Sequence, residues 1–140
     1  MNTKNIYFAG AIRGGRNDWQ FYHEIIRLLS HYGTVLTEHV GNSELAISGE
    51  DRPDREVHDR DLGWLRNSDY LVAEVTTPSL GVGYEIGKAT EWGTPVLCLF
   101  RGGSDRKLSA MIAGSGGVTV STYNDITDAG QIIAAFFEEF

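Results

Sequence analysis

The amino-acid sequence predicts an α/β fold, an open five-stranded parallel sheet with helices on both faces. Three observations carry this. Five short apolar runs, Ile6–Ala9, Val35–Val40, Tyr70–Val75, Val96–Phe100 and Val118–Thr122, are spread along the chain. Between them lie segments with apolar residues at helical spacing, and strand–helix alternation is the pattern of a parallel sheet. The first and third runs pass directly into glycine-rich loops, at the sheet edge where such folds take their ligands.

Taken in order, Ile6–Ala9 runs into Gly10-Ala11-Ile12-Arg13-Gly14-Gly15-Arg16. Gly10 and Gly15 have P-loop spacing, but Arg16 and Asn17 stand where Lys and Ser/Thr are required, which disfavours magnesium-dependent triphosphate hydrolysis. Arg13 could still fork onto a phosphate or carboxylate; alone, it would be an ordinary solvated loop arginine. Asn17 or Asp18 is placed to cap a helix through about His31, with Phe21, Ile25, Leu28 and Leu29 on its buried face and Gly33 as its stop. Glu38 and His39 fall near the C-terminal end of the second run. Gly41–Asp54 is polar and reads as a mobile loop, a candidate lid. Arg55–Ser68 reads as a helix whose apolar side is Val57, Leu62, Trp64 and Leu65. Asp61 lies four residues from both Val57 and Leu65, so it projects near the core stripe, where a carboxylate needs a partner. Capping a neighbouring loop and catalysis both remain open for it.

The centre of the chain is Val72–Gly87, a buried strand, the loop Thr76–Gly83, and a helix opening at Tyr84 with Ile86 and Ala89 on one face and closing near Trp92-Gly93. A glycine loop at a helix N-terminus attracts anions through backbone N–H groups and the helix dipole. Ser79–Gly83 reads as a phosphate cradle, and Glu85, placed in the first turn and so expected to stay ionised, as the reactive group. The plain alternative is a tight turn with Glu85 as a dipole partner. Gly81-x-Gly83-x-x-x-Gly87 is one residue longer than the dinucleotide fingerprint and follows the third strand, which disfavours a Rossmann cofactor site. Beyond it, Pro95 precedes the fourth run, Leu108–Ile112 is a short helical piece, and Asn124 or Asp125 caps a last helix with Ile126, Ile132, Ile133, Phe136 and Phe137 as its apolar face. Gly10–Arg16, Glu38-His39, the loop before Asp61 and Ser79–Glu85 should converge on the C-terminal edge of the sheet.

Composition bounds the rest. The chain has 140 residues and 41% apolar content, one domain with room for a core. No run approaches the roughly 20 apolar residues of a membrane span, and Met1–Asn5 shows no signal-peptide pattern, so a cytoplasmic protein is expected. Cys98 is the only cysteine, expected as a buried small hydrophobe, and with four scattered histidines it offers no metal spacing. The net charge of −7 and the lack of a basic stripe argue against long nucleic acid as a partner.

Several stretches together resemble the 2′-deoxynucleoside 5′-phosphate N-hydrolases, within the wider nucleoside deoxyribosyltransferase superfamily. They are Y-F-A-G-A-I-R-G-G-R from Tyr7, G-T-V-L-T-E-H-V from Gly33, D-L-G-W-L from Asp61, A-E-V-T-T-P-S-L-G-V-G-Y-E-I-G from Ala73, L-C-L-F-R from Leu97 and L-S-A-M-I from Leu108. The resemblance spans nearly the whole chain, 1–140 as a single domain, and is loose only in Gly41–Asp54 and the last helix. It implies a flavodoxin-like fold, a homodimer, no cofactor or metal, and hydrolysis of the N-glycosidic bond of deoxynucleoside 5′-monophosphates to free base and 2-deoxyribose 5-phosphate.

By motif position the resemblance makes Glu85 the nucleophile at the anomeric carbon, Tyr7 the group that orients it, and Asp61 the residue that serves the base or acts as general acid. It assigns Arg13, Ser79 and Gly81 to the 5′-phosphate, with Gly10, Ile12 and Gly14 in the same substrate-binding loop. His39 would contact the base, Ser109 would reach the phosphate from the second subunit, and Met111 is a further substrate-binding residue. A close carboxylate stabilises an oxocarbenium-like state and can form a covalent glycosyl-enzyme, as in retaining glycosidases. Ala11 departs from the family, whose members carry a serine there; one neutral hydrogen bond is worth about 0.5–1.5 kcal/mol net. That change also keeps open a related branch acting on pyrimidine ribonucleotides such as cytidylates. Base exchange by a deoxyribosyltransferase, a nucleotide-binding module without turnover, and a flavodoxin-type electron carrier are the competing functions. Glu85 beside Asp61 argues against a pure phosphate binder.

Overall fold

The computed structural model describes residues 3–12, 18–36, 52–103 and 105–140. Within them, five strands, β1 (Asn5–Ala9), β2 (Thr34–Val35), β3 (Tyr70–Glu74), β4 (Val96–Arg101) and β5 (Val118–Tyr123), form one sheet in the order β2-β1-β3-β4-β5. All neighbours are parallel. The order reverses at β1, so the crevice between β1 and β3 is the switch point at which such sheets bind ligands. The helices are α1 (Trp19–Leu29), α2 (Asp54–Arg66), α3 (Leu80–Glu91), α4 (Ala110–Ala113) and α5 (Ile126–Glu139).

Strand alternation sends side chains to two separate layers. Ile6, Phe8, Val72, Leu97, Leu99 and Tyr123 pack with α1 and α5. Tyr7, Ala9, Leu71, Ala73 and Cys98 face the other way, toward Leu65 of α2 and Val82, Ile86 and Ala89 of α3. This parity gives Tyr7 its direction: it points at α3. Cys98 is buried, as expected, and burial pushes its thiol up to about 12.

Several boundaries differ from the sequence reading. The buried face of α1 is Tyr22, Ile25, Ile26 and Leu29, with Phe21 and Leu28 only partly covered. Asp18 sits at the N-cap of α1 without capping it, because its carboxylate is engaged by Arg101 and Thr77. Gly33 is required for another reason than stopping the helix: a Cβ there would lie 2.3 Å from the Lys4 carbonyl oxygen, which accepts the Thr34 N–H. The second strand begins at Thr34, one residue early, and positions 37–40 lie outside the described residues. Most of the loop 41–54, the candidate lid, also lies outside them.

The largest correction concerns α3. It begins at Leu80, not Tyr84, because Ser79 caps it, its Oγ accepting the Val82 N–H at 3.3 Å. Gly81 and Gly83 are therefore helical, and the strand-to-helix loop is only Val75–Ser79. The short helical piece expected at Leu108–Ile112 is α4, and Asp125 caps α5 by accepting the Asp128 N–H. Strand β5 is the sheet's edge and is largely exposed, with Tyr123 its one buried residue.

Candidate active site

A pocket of about 630 Å³ opens at the C-terminal edge of β1 and β3. Its walls come from Gly10 and Ile12 after β1, from Asp54, Val57, His58, Asp61 and Leu62 on α2, and from Pro78 through Val82 with Tyr84 and Glu85 on α3. The first loop is set by Tyr22: a Cβ on Gly10 would meet its ring at 2.8 Å, and its hydroxyl accepts the Ala11 N–H at 3.0 Å. Ala11 itself is fully buried, with its two neighbours forming the pocket wall.

Glu85 is the candidate reactive group. It lies in the second turn of α3. The Tyr7 hydroxyl donates a hydrogen bond to Glu85 Oε2 from beneath, across 78 residues of sequence. Burial raises the Glu85 carboxyl to about 7; the nearby charge of Asp61 adds to this and the Tyr7 hydrogen bond opposes it. The expectation of a firmly ionised first-turn carboxylate is thus corrected. The residue sits one turn deeper than the dipole's reach, and desolvation outweighs the remaining stabilisation of the anion. Burial, then the charges of Glu85 and Asp61, push the Tyr7 phenol well above its ordinary value. Tyr7 therefore remains a donor throughout the neutral range.

Asp61 faces the same pocket from α2 and accepts from Arg60, at 3.0 Å from Nε and 2.9 Å from Nη2. The Arg60 guanidinium lies over the Trp64 ring at 4.7 Å. The Arg60 guanidinium is thus a hydrogen-bonding partner of Asp61. At the mouth, His58 Nε2 and the Tyr84 hydroxyl are 3.0 Å apart, joining α2 to α3.

Of the residues singled out in the sequence, Tyr7, Gly10, Ile12, Asp61, Ser79, Gly81 and Glu85 come together here. Arg13, Gly14 and His39 lie outside the described residues. Ser109 and Met111 are not in this pocket: Ser109 caps α4, and Met111 is 83% exposed. The α2 wall is the body of a helix, not the loop before Asp61. Asp54, His58 and Tyr84 were missed. Their signal was helical spacing, since Asp54, His58 and Asp61 recur on one face of α2. Among the described residues, no group of three His, Cys, Asp or Glu side chains is arranged to hold a metal ion, and no helix is long and apolar enough to cross a membrane.

The family model described as nucleoside 2-deoxyribosyltransferase matches residues 6–127. A protein of Tetraodon nigroviridis named 5-hydroxymethyl-dUMP N-hydrolase is 57% identical over 112 residues, covering 79% of each chain. The protein of that name from Danio rerio is 48% identical over 137 residues, 96% of each chain. A Trichoplax adhaerens protein named as a 2′-deoxynucleoside 5′-phosphate N-hydrolase, provisionally, is 57% identical over 115 residues, 82% of this chain and 78% of its own. Among solved structures, a CMP N-glycosidase of Clostridium botulinum superposes with a TM-score of 0.67 at 17% identity, covering 95% of this chain and 99% of its own. That likeness concerns the fold. A match across residues 6–127, with relatives near half identical over most of their length, places this chain in the nucleoside 2-deoxyribosyltransferase family.

Proposed function

We propose that this chain hydrolyses the N-glycosidic bond of 2′-deoxynucleoside 5′-monophosphates, releasing the free base and 2-deoxyribose 5-phosphate. The observation that carries the reading is the Tyr7–Glu85 hydrogen bond in a pocket bounded by Asp61 and by the N-terminus of α3. The names of the relatives near half identical supply the substrate class.

Glu85 attacks the anomeric carbon with one carboxylate oxygen as the bond to the base nitrogen breaks, and the bonding pair leaves with the base. Tyr7 holds the other oxygen and aims the first. Asp61 hydrogen-bonds the base or passes it the proton it needs on departure. Water then opens the glycosyl ester and restores Glu85. The 5′-phosphate lies against Ser79, Gly81 and the free N–H groups of the first turn of α3. The same reading assigns Arg13 and Gly14, with Gly10 and Ile12, to binding the phosphate, and His39 to the base. Two copies share each site, Ser109 and Met111 arriving from the other copy; the exposure of Met111 supports this. Phosphorylated nucleotides are retained where they are made, so a cytoplasmic setting goes with this reading.

Base release from four deoxynucleoside and four ribonucleoside 5′-monophosphates, with dephosphorylated nucleosides as controls, tests it. Release from the deoxy monophosphates alone is expected. Exchange of bases on free nucleosides would make the chain a transferase, and no release from any substrate would overturn the enzymatic reading.

A further inference from the structure

Behind the pocket, on the α1/α5 side of the sheet, a buried polar cluster belongs to none of the roles above. Glu74 ends β3 with no solvent exposure, and Asp18 and Thr76 are 5% and 4% exposed. Both Glu74 oxygens are used: Oε1 accepts the Thr76 N–H at 2.7 Å, and Oε2 accepts the Thr76 hydroxyl at 2.9 Å and the Tyr123 hydroxyl. Thr76 Oγ1 in turn accepts the Arg101 N–H at 2.8 Å. The Arg101 guanidinium, 4.2 Å above the Phe21 ring, donates from Nη2 to Asp18 Oδ1 at 2.7 Å, and its Nη1 stands 3.9 Å from Glu74 Oε2. That Nη1 is buried without a hydrogen-bond acceptor among the described residues. Asp18 Oδ2 accepts the Thr77 hydroxyl.

We propose that Asp18, Arg101 and Glu74 are positioning residues that hold the β3–α3 loop and the start of α1 in register at the edge of the site. Thr76 and Thr77 belong to the β3–α3 loop, and Pro78 and Ser79, the next two residues, line the pocket. Asp18 closes the β1–α1 connection, which Gly10 and Ile12 open at the pocket wall. One guanidinium thus joins the end of the first loop to the root of the second, and Thr77 completes the tie. Stability alone does not account for such a cluster, since buried ion pairs give little net stabilisation over well-packed apolar residues of similar volume. What the cluster supplies is fixed geometry, which sets where Ser79 and the first turn of α3 meet a phosphate. The inference rests on the proposed 5′-monophosphate substrate.

Arg101→Lys keeps the charge but cannot fork between two carboxylates. Thr77→Val keeps the shape and removes only the tie to Asp18. Both are to be assayed for KM and kcat on a deoxynucleoside 5′-monophosphate, for calorimetric affinity toward 2-deoxyribose 5-phosphate, and for melting temperature. Ile133→Val in α5 serves as a control of the core. In both variants KM and the dissociation constant should rise roughly tenfold while kcat stays within about threefold. Ile133→Val should move neither. Variants that lose only melting temperature, or a control that raises KM equally, would overturn the proposal. If the wild type binds 2-deoxyribose 5-phosphate, the variants weaken that binding and no base is ever released, the positioning role stands and the hydrolase reading falls. A wild type that releases base, with KM unmoved in both variants, overturns the positioning role and leaves the hydrolase reading standing.

Discussion

Glu85 carries two properties that pull in opposite directions. A nucleophile must be ionised, yet burial raises this carboxyl to about 7. Base release should therefore fall about tenfold per pH unit on the acid side of 7 and level off above it. Tyr7 lowers the Glu85 pKa through its hydrogen bond, so Tyr7→Phe should move that acid limb to higher pH, in addition to reducing the rate. A pH–rate profile of both proteins checks the sign. The same displacement affects stability. Glu85 has a folded-state pKa above its unfolded value near 4.5, so its contribution is fully present below that pH and is lost as pH rises through about 7. Glu85→Gln should thus abolish turnover, keep 2-deoxyribose 5-phosphate binding, and be more stable than the parent at pH 8 by on the order of 2–3 kcal/mol. Near pH 4 the two should unfold alike. An active Glu85→Gln enzyme would sink the mechanism.

At the scale of elements, α3 was legible as a helix but not in its start. Gly81 and Gly83 read as loop, since glycine disfavours helix interiors. The Ser79 cap and the packing of Val82, Ile86 and Ala89 against the sheet override that preference. Space is not the reason for these glycines: a Cβ on Gly83 or Gly87 would meet nothing within 4 Å. Ser79→Ala should cost about 1 kcal/mol as a lost cap and also raise KM for the monophosphate, the first read by denaturant melts and the second by kinetics. Asp18 shows the opposite failure. Its residue type says helix cap, yet its carboxylate goes to Arg101, 83 positions away. Gly33→Ala should destabilise by more than about 2 kcal/mol, because the Lys4 carbonyl is backbone and cannot swing aside. A melting temperature close to wild type would contradict that account.

The whole molecule leaves apolar side chains on its surface near the site and on α4. Leu80 is 96% exposed, Met111 83% and Tyr84 48%, and no residue of α4 is buried. A second copy covering this face is the association proposed above. Met111→Asp should shift sedimentation from dimer to monomer and remove activity together. Mixing Glu85→Gln with Ser109→Ala protein should restore activity, because an exchanged dimer contains one site with both residues intact. A fully active monomer would exclude shared sites.

The sequence by itself determined the fold class, the succession of strands and helices, the burial of Cys98, and the nearness of Glu85 to the Ser79–Gly83 stretch. These follow from local periodicity and from residue types whose preferences act over a few positions. Tertiary structure alone decided the rest: the strand order that puts β1 beside β3, the face of the sheet from which Tyr7 reaches Glu85, and the α2 wall with His58 and Asp54. It also decided the protonation of Glu85 and the pairing of Asp18 with Arg101. Desolvation and long-range hydrogen bonds depend on which distant segments close over a residue, and no local pattern encodes that closure.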